Sequence, residues 1–373
     1  MKKSKRIFIS ISKEVNDLTK IIGWDIGGAN IKAAIIHTEK NSIKSIKIIK
    51  EYFPIWKEPN KLAERLSEIK KRLSSIQPDA MGLTMTAELS DIYRTKREGV
   101  NHVLNSAIKA FNQTPFLVLN VESKLISVNK AKMNPLEVAA ANWIATGWLV
   151  SQKIKNCVVV DVGSTSTSII PIIEGKISAL GKNDLEKLMV GELVYTGCLR
   201  TNVAAIVNSI PFRESEIKVS SELFSQSGDI HLILGNIAEE EYCSATPDNR
   251  GRKKNNAMER LARVICGDLE IIEENEIYRM AEYIYSKQID QVSDGLKKVY
   301  SQANLSGKED IPVVVTGIGK DFIARKAAKK LSIKKIFDMS KILDFKTYIA
   351  SPAVGVALMV SDKLARRNVD WKQ

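Results

Sequence analysis

Three short stretches carry residue types at spacings suited to holding phosphate. The first is Gly23-Trp-Asp-Ile-Gly-Gly-Ala-Asn30, in which Asp25 stands just ahead of the Gly27-Gly28 pair and Lys32 follows. Glycine reaches backbone angles closed to other residues, so consecutive N–H groups at such a turn can point at one anion. A carboxylate at the rim of the turn can hold Mg²⁺ against phosphate oxygens, which makes Asp25 a candidate metal ligand. The second stretch, Asp161-Val-Gly-Ser-Thr-Ser-Thr167, repeats the logic: Asp161, one residue, Gly163, and then the hydroxyls of Ser164, Thr165, Ser166 and Thr167. The third, Gly317-Ile-Gly319, lets a flat or anionic ligand approach the backbone closely. One such motif is weak evidence. Three of them, each after an apolar run, form a constellation.

The elements that must position these loops follow from periodicity. Ile31, Ala33 and Ile35 alternate with Lys32, Ala34 and Ile36, and that period of two predicts a strand–turn–strand hairpin around Gly27-Gly28. The second stretch reads as another hairpin, so the chain contains two units of similar build, each offering one loop to a shared cleft. Further strands are expected over 43–53, 79–85, 116–121 and 229–234. Helical spacing predicts helices over 60–75, 100–111, 257–272 and 275–303, one from Pro135 through Val150, and a closing helix from Ser351 rich in small residues. The Gly317-x-Gly319 turn should join a strand to a helix.

Other candidate ligand residues lie at the ends of these elements. The charge-dense run from Asp91 to Gly99 emerges from an apolar strand end, the usual place for ligand residues in an α/β sheet, and singles out Thr86, Glu88, Arg94, Lys96 and Arg97. Met189 to Val203 offers Glu192, Tyr195, Thr196 and Arg200 to the same cleft. The stretch from about 204 to 256 lacks a sustained period and reads as an insert that could close over a ligand, with Arg250, Arg252, Lys253 and Lys254 as its cations.

Composition narrows the field. The chain has 373 residues, of which 44% are hydrophobic, enough for two domains with their own cores. No apolar run reaches the roughly 18 residues of a membrane span, and Ile7-Phe-Ile-Ser-Ile-Ser is too short and polar for a secretory core. The four cysteines form no C-x-x-C pair and the three histidines are scattered, so a reduced, cytoplasmic protein without structural zinc is expected. The net charge of +13 is spread along the chain among acids rather than gathered in an aromatic-rich basic motif. Small polyanionic substrates, not nucleic acid, are the expected partners, and homo-oligomerisation is left open.

The order D-x-G-G, D-x-G-[ST]-[ST], G-x-G resembles the actin–sugar kinase–Hsp70 superfamily. That resemblance implies an α/β, actin-like ATPase fold with two related domains around a central cleft. On it, residues 1–20 are an extension and 21–155 the first domain, joined by the helix at 350–366. Residues 156–349 form the second domain with its insert. The Walker loop and the protein-kinase motif set are absent, and Gly27-Gly28 leads into a strand rather than the helix of a dinucleotide fold.

Within that superfamily, Gly23 to Asn30, Met85-Thr-Ala-Glu-Leu-Ser-Asp91, Thr95-Lys-Arg-Glu-Gly-Val100, Asp161 to Thr167 and Gly191-Glu-Leu-Val-Tyr-Thr-Gly197 together resemble one group. It is the hydantoinase/oxoprolinase-related family of the tetrahydromethanopterin-linked one-carbon pathway, whose characterised archaeal members are synthases of methanofuran biosynthesis. The resemblance implies that an aminomethyl-furanmethanol diphosphate loses pyrophosphate while the phenol oxygen of γ-glutamyl-tyramine takes its place, forming an aryl ether. It further implies that Asp25 and Asp161 are metal-side and catalytic residues with Mg²⁺. Glu88, Glu192 and Lys96 are then the groups available to handle the phenol proton. The diphosphate would meet Gly27, Gly28, Asn30, Lys32, Gly163 to Thr167, Arg97, Tyr195, Arg200, Gly317 and Gly319. Relatives often carry an acid where this chain has Ser168, which departs from the pattern. An ATP-dependent kinase or ATP-driven amidohydrolase of the same superfold is the alternative, and a nucleotide-regulated interaction protein a further one; whether ATP binds is open.

Overall fold

The structure, a computed structural model, describes residues 19–39, 42–112, 114–304, 310–343 and 350–365. Residues 1–18 of the expected extension lie outside it. Six strands make the first sheet: β1 (Thr19–Ile26), β2 (Asn30–Glu39), β3 (Ser42–Tyr52), β4 (Ala80–Met85), β5 (Phe116–Leu119) and β6 (Leu125–Ser127), in the order β3-β2-β1-β4-β5-β6. The second sheet takes β7 (Cys157–Val162), β8 (Thr167–Ile173), β9 (Lys176–Ile177) and β10 (Leu193–Val194). Between these and its last strands comes a separate ribbon of β11 (Ser209–Phe212) and β12 (Ser215–Lys218), and β13 (Val313–Gly317) and β14 (Ile336–Asp338) complete the sheet in the order β10-β8-β7-β13-β14. Both sheets repeat one plan. An antiparallel hairpin, β1–β2 or β7–β8, is extended on the side of its first strand by two parallel strands, β4–β5 or β13–β14. This is the actin-like ATPase fold.

Helices α1 (Leu62–Leu73), α2 (Lys96–Phe111) and α3 (Val128–Met133) belong to the core of the first sheet. Leu62, Leu66, Ile69 and Leu73 recur at helical spacing and are all buried, so the apolar stripe that predicts α1 is the face that packs. Trp24 stacks on Phe111 of α2 with ring centroids 4.9 Å apart. Helix α4 (Asn142–Ser151) lies at the junction of the two sheets. Next come α5 (Asp184–Val190), α6 (Ser227–Ile233), α7 (Lys254–Arg263), α8 (Glu274–Asn304), α9 (Arg325–Lys330), α10 (Met339–Ile342) and finally α11 (Ser351–Ala365). Helices α4 and α11 share one core with residues of both sheets. Small residues permit this: a Cβ on Gly23 of β1 would lie 1.9 Å from the Ala353 carbonyl oxygen, and one on Gly355 would lie 2.5 Å from that of Ala145.

Strand alternation then aims the acids. In β1, Ile22, Trp24 and Ile26 enter the core of the first sheet, whereas Ile21 enters the layer shared with α4 and α11. In β7, Val158, Val160 and Val162 enter the core of the second sheet, whereas Cys157 and Val159 enter the shared layer. Asp25 has the parity of Ile21 and Asp161 that of Cys157, so both acids project on the shared side.

Several expected elements differ. The stretch 229–234 is part of helix α6, not a strand: its alternation cannot tell the two apart, and the Gln226–Asp229 capping box starts a helix. The helix expected from Pro135 breaks after a single turn at Pro135–Glu137, with Ala140 at positive φ, and α4 begins only at Asn142. The helix expected over 257–272 ends as α7 at Arg263, and α2 begins at Lys96, so Lys96 and Arg97 form a first helical turn rather than a loop. The 204–256 stretch is not a loose insert. Asp229 and Arg260, both fully buried, pair at 2.7 Å and tie it to α7, with Tyr242 donating a further hydrogen bond to Asp229.

Candidate active site

The two Asp loops have the same internal geometry. The N–H of Gly27 donates to the Asn30 carbonyl at 3.0 Å, and that of Gly163 to the Ser166 carbonyl at 2.9 Å. Those two amides close the turns. The following amides, of Gly28 and Ala29 in one loop and of Ser164 and Thr165 in the other, donate to no acceptor among the described residues. Neither Gly27, Gly28 nor Gly163 adopts positive φ, contrary to the expectation for the Gly-Gly turn. A Cβ on Gly28 would meet nothing within 4 Å, so the protein leaves that side of the turn open. Gly317 is the glycine that needs its backbone freedom: its φ is +85°, and a Cβ would lie 2.3 Å from the Val162 carbonyl oxygen and 2.6 Å from Oδ1 of Asp161. Together with the bond from the Gly319 N–H to the Val162 carbonyl at 3.1 Å, this sets the third turn against the Asp161 loop.

Charge concentrates between the loops. Asp25 is 2% exposed, its Oδ2 takes a hydrogen bond from Lys32 Nζ at 3.0 Å, and its Oδ1 has no partner. Lys32 is the cross-strand neighbour of Asp25 in the first hairpin, and Ser168 holds the equivalent place opposite Asp161 in the second. Burial acts to lower the Lys32 pKa, but Asp25 and then Asp161 outweigh it and hold the ammonium above its ordinary range. Asp161 reaches the cleft surface, yet protein withdraws it from bulk water. Burial lifts its carboxyl to about 6, with Asp25 adding and with Lys32 and a 3.3 Å hydrogen bond from Thr146 opposing. One lysine thus serves two carboxylates from opposite sheets. Beside them a cavity of about 250 Å³ is lined by Asn30, Lys50, Tyr52, Glu240, Cys243 and Ile318, where the third loop meets the first.

A second cluster surrounds Glu88, which sits in a short turn after β4 and is 1% exposed. Neither of its carboxylate oxygens makes a hydrogen bond of ordinary geometry. Burial lifts its pKa to about 7, Asp184 adds to the effect, and nearby backbone amides and Lys96 only partly oppose it. Lys96 on α2 pairs with Asp184 on α5 at 3.0 Å, joining the two halves of the molecule. Tyr195, 54% exposed, feels Asp184, Arg200, Lys96 and Glu88. Arg200 links this cluster to the phosphate loops, since it donates to Thr165 Oγ1 at 3.3 Å and lies over Trp56 of the first half at 5.1 Å.

The remaining candidates fall elsewhere. Glu192 is fully buried, and its two oxygens accept the N–H groups of Leu180 at 2.7 Å and Gly181 at 3.1 Å. Thr167 donates to the Thr196 carbonyl at 2.7 Å and braces the second loop from behind. Arg94 and Arg97 are exposed and join neither cluster. Arg250 engages Glu259, and Lys254 engages Tyr278, which occupies two of the four cations assigned to a closing insert.

Thr146, Trp56, Asp184 and Lys187 also belong to these clusters, although no sequence motif marks them. Lys187 is 1% exposed, its Nζ is 3.5 Å from the centroid of the Trp143 ring, and it has no hydrogen-bond partner. Burial depresses its pKa to about 7 despite Glu192 and Asp184. No pattern announces it, because Leu185, Leu188 and Met189 of the same helix are the residues that periodicity would bury, and all three are exposed.

The residues fit a divalent cation. Asp25 presents an orphaned, buried oxygen, and the two carboxylates disfavour each other's charge, a penalty that a dication removes. Among the described residues no cluster of three or more His, Cys, Asp or Glu forms a metal cage. Two carboxylates with substrate phosphate oxygens and water are instead the donor set Mg²⁺ accepts. Among those residues, too, no helix is long and apolar enough to cross a membrane.

Comparison with known proteins places the chain. Over 347 residues it is 37% identical to the (4-{4-[2-(gamma-L-glutamylamino)ethyl]phenoxymethyl}furan-2-yl)methanamine synthase of Methanocaldococcus jannaschii, covering 92% of this chain and 98% of that one. The synthase of the same name from Methanococcus vannielii is 37% identical over 219 residues, which is 58% of this chain and 96% of that protein. Among solved structures, nucleotide-free acetone carboxylase superposes with a TM-score of 0.53 at 9% identity, over 91% of this chain and 70% of that one, a likeness of fold. The hydantoinase/oxoprolinase family model matches residues 79–363. Its match takes in the Glu88 turn, the Asp161 loop and the Gly317 turn, and the chain belongs to the hydantoinase/oxoprolinase family.

Proposed function

We propose that this chain is a synthase that joins an aminomethyl-furanmethanol diphosphate to the phenol oxygen of γ-glutamyl-tyramine, releasing pyrophosphate, in methanofuran biosynthesis. The observation that carries the reading is the 37% identity to the archaeal synthase along 98% of its length. The site agrees with it, pairing a phosphate cradle with a separate buried carboxylate that makes no hydrogen bond of ordinary geometry.

The free amides of the two loops and the Arg200 guanidinium bind the diphosphate, and Lys32 balances the charge of Asp25 and Asp161 beneath it. Mg²⁺ held by Asp25 and Asp161 would supply further positive charge to neutralise the departing group. The phenol oxygen forms a bond to the furan-bearing CH₂ while the bond from that carbon to the diphosphate oxygen breaks, its electron pair leaving with pyrophosphate. The phenol proton passes to Glu88. Of the three groups that could take it, Glu192 is held by two backbone amides and Lys96 by Asp184, whereas neither Glu88 oxygen makes a hydrogen bond of ordinary geometry. A carboxylate with a pKa of about 7 is a far better match to a phenol than an ordinary one.

The test is incubation of the purified chain with both substrates and Mg²⁺, with mass spectrometry for the ether and for pyrophosphate. Absence of the ether, with turnover of ATP to ADP in a parallel reaction, would replace this reading with an ATP-dependent kinase or amidohydrolase.

A further inference from the structure

Helix α5 has its amphipathicity inverted. In Asp184-Leu-Glu-Lys-Leu-Met-Val190 the buried residue is Lys187, whereas Leu185, Leu188 and Met189 are 70%, 46% and 74% exposed. A local rule broken this plainly marks a place where function sets the sequence. The lysine is not a stray side chain. A Cβ on Gly181 would lie 2.7 Å from Lys187 Cγ, so the turn at 180–182 closes on the stem, and Glu192 fastens that turn through the N–H groups of Leu180 and Gly181. The result is an ammonium group held 3.5 Å over the face of Trp143.

The groups around it are donors without acceptors. Lys187 Nζ has no hydrogen-bond partner, and neither does Nε1 of the same Trp143, although both atoms are buried. The acids whose charge Lys187 feels are committed elsewhere, Glu192 to its two amides and Asp184 to Lys96 at 3.0 Å. A buried ammonium with no hydrogen-bonded counter-charge is a costly arrangement, and a cation–π contact alone offsets little of it. An anion with two acceptor oxygens completes the set. The cradle for diphosphate lies at the Asp25 and Asp161 loops, so this second anion is a different one. Asp184, one turn before Lys187 on α5, pairs with Lys96, whose helix lies against Glu88 at Gly99, which puts Lys187 in the neighbourhood of the phenol position.

We propose that Lys187 and the indole N–H of Trp143 form the subsite for a carboxylate carried at the far end of the phenolic acceptor. The proposal rests on the synthase reading for the identity of that acceptor, since γ-glutamyl-tyramine carries its carboxylate at the end opposite the phenol. Lys187 is then a specificity-determining residue that leaves the ether-forming step to Glu88.

Binding measured without turnover tests it separately from the activity. γ-Glutamyl-tyramine and N-(4-aminobutanoyl)-tyramine, which keeps the phenol, the amide and the amine but lacks the carboxylate, are titrated by calorimetry into the full chain and into Lys187→Met. Methionine fills the buried stem without a charge, and a thermal melt verifies its fold. The full chain should bind the carboxylated acceptor roughly 10- to 100-fold more tightly, the range for a charged hydrogen bond, and the variant should bind both alike. Affinity for the furan diphosphate should be the same in both proteins. Equal binding of the two acceptors by the unaltered chain overturns the proposal, as does a preference that survives in Lys187→Met. A missing ether product would fall on the synthase reading instead.

Discussion

Replacement of Glu88 by Gln separates the stability of the protein from its chemistry. The side chain is 1% exposed with no hydrogen bond, and its pKa stands at about 7 in the folded chain against 4.5 for an unperturbed glutamate. Between those values the folded chain keeps a proton that the unfolded chain releases, so stability falls as pH rises through that window and stays lower above it. Each tenfold in proton affinity is about 1.4 kcal/mol, so ionised Glu88 costs the fold on the order of 3 kcal/mol. Glutamine is nearly isosteric and does not titrate. Urea unfolding of both proteins at about pH 5 and about pH 8 should show the Gln variant gaining about 2 to 3 kcal/mol on the wild type across that interval. Acceptor-side kcat/KM for the wild type should rise tenfold per pH unit and level off near pH 7, where the carboxylate becomes the major form. The variant should lose that dependence together with most of its activity. A stability difference that does not change with pH would refute the argument, because the buried carboxylate would then not be withdrawn from water.

Asp161→Asn should lower kcat by on the order of 100-fold or more and abolish its response to Mg²⁺, with the fold retained in a circular dichroism melt. Gly317→Ala forces a Cβ into a position 2.3 Å from the Val162 carbonyl at a φ of +85°, and should cost roughly 2 to 4 kcal/mol of unfolding free energy. Glu192→Gln leaves the N–H of Leu180 or Gly181 facing an amide donor. It should cost about 1 to 3 kcal/mol in urea unfolding and leave the pH dependence of kcat/KM in place, as expected of a residue that fastens a turn.

The phosphate end of the site was legible because its signals are local. Asp25, Gly27 and Gly28 sit within four residues, strand parity follows from the alternation around them, and the second hairpin repeats the pattern. The cross-strand pairing of Asp25 with Lys32 is itself a consequence of the tight turn. The acceptor end was legible only in part. Glu88 stands out as an acid after a buried strand, but that Glu192 is satisfied depends on the turn at 180–182, which lies outside both motifs. Lys187 was invisible for a physical reason. Periodicity assumes that a helix buries its apolar face, and α5 does the reverse. The misread strand at 229–234 has a similar cause, because Asp229 is buried by Arg260, a partner brought from a later helix.

In the proposed reaction the paired loops hold a diphosphate whose bond to carbon is broken by a phenol. Heavy oxygen placed in the phenol of γ-glutamyl-tyramine reads this directly by mass spectrometry of both products. All of the label should stay in the aryl ether and none should enter pyrophosphate, in wild type and in any Asp161→Asn product alike. Label appearing in a phosphate product, or phosphorylated phenol in place of ether, would contradict it and make the site a phosphoryl-transfer centre.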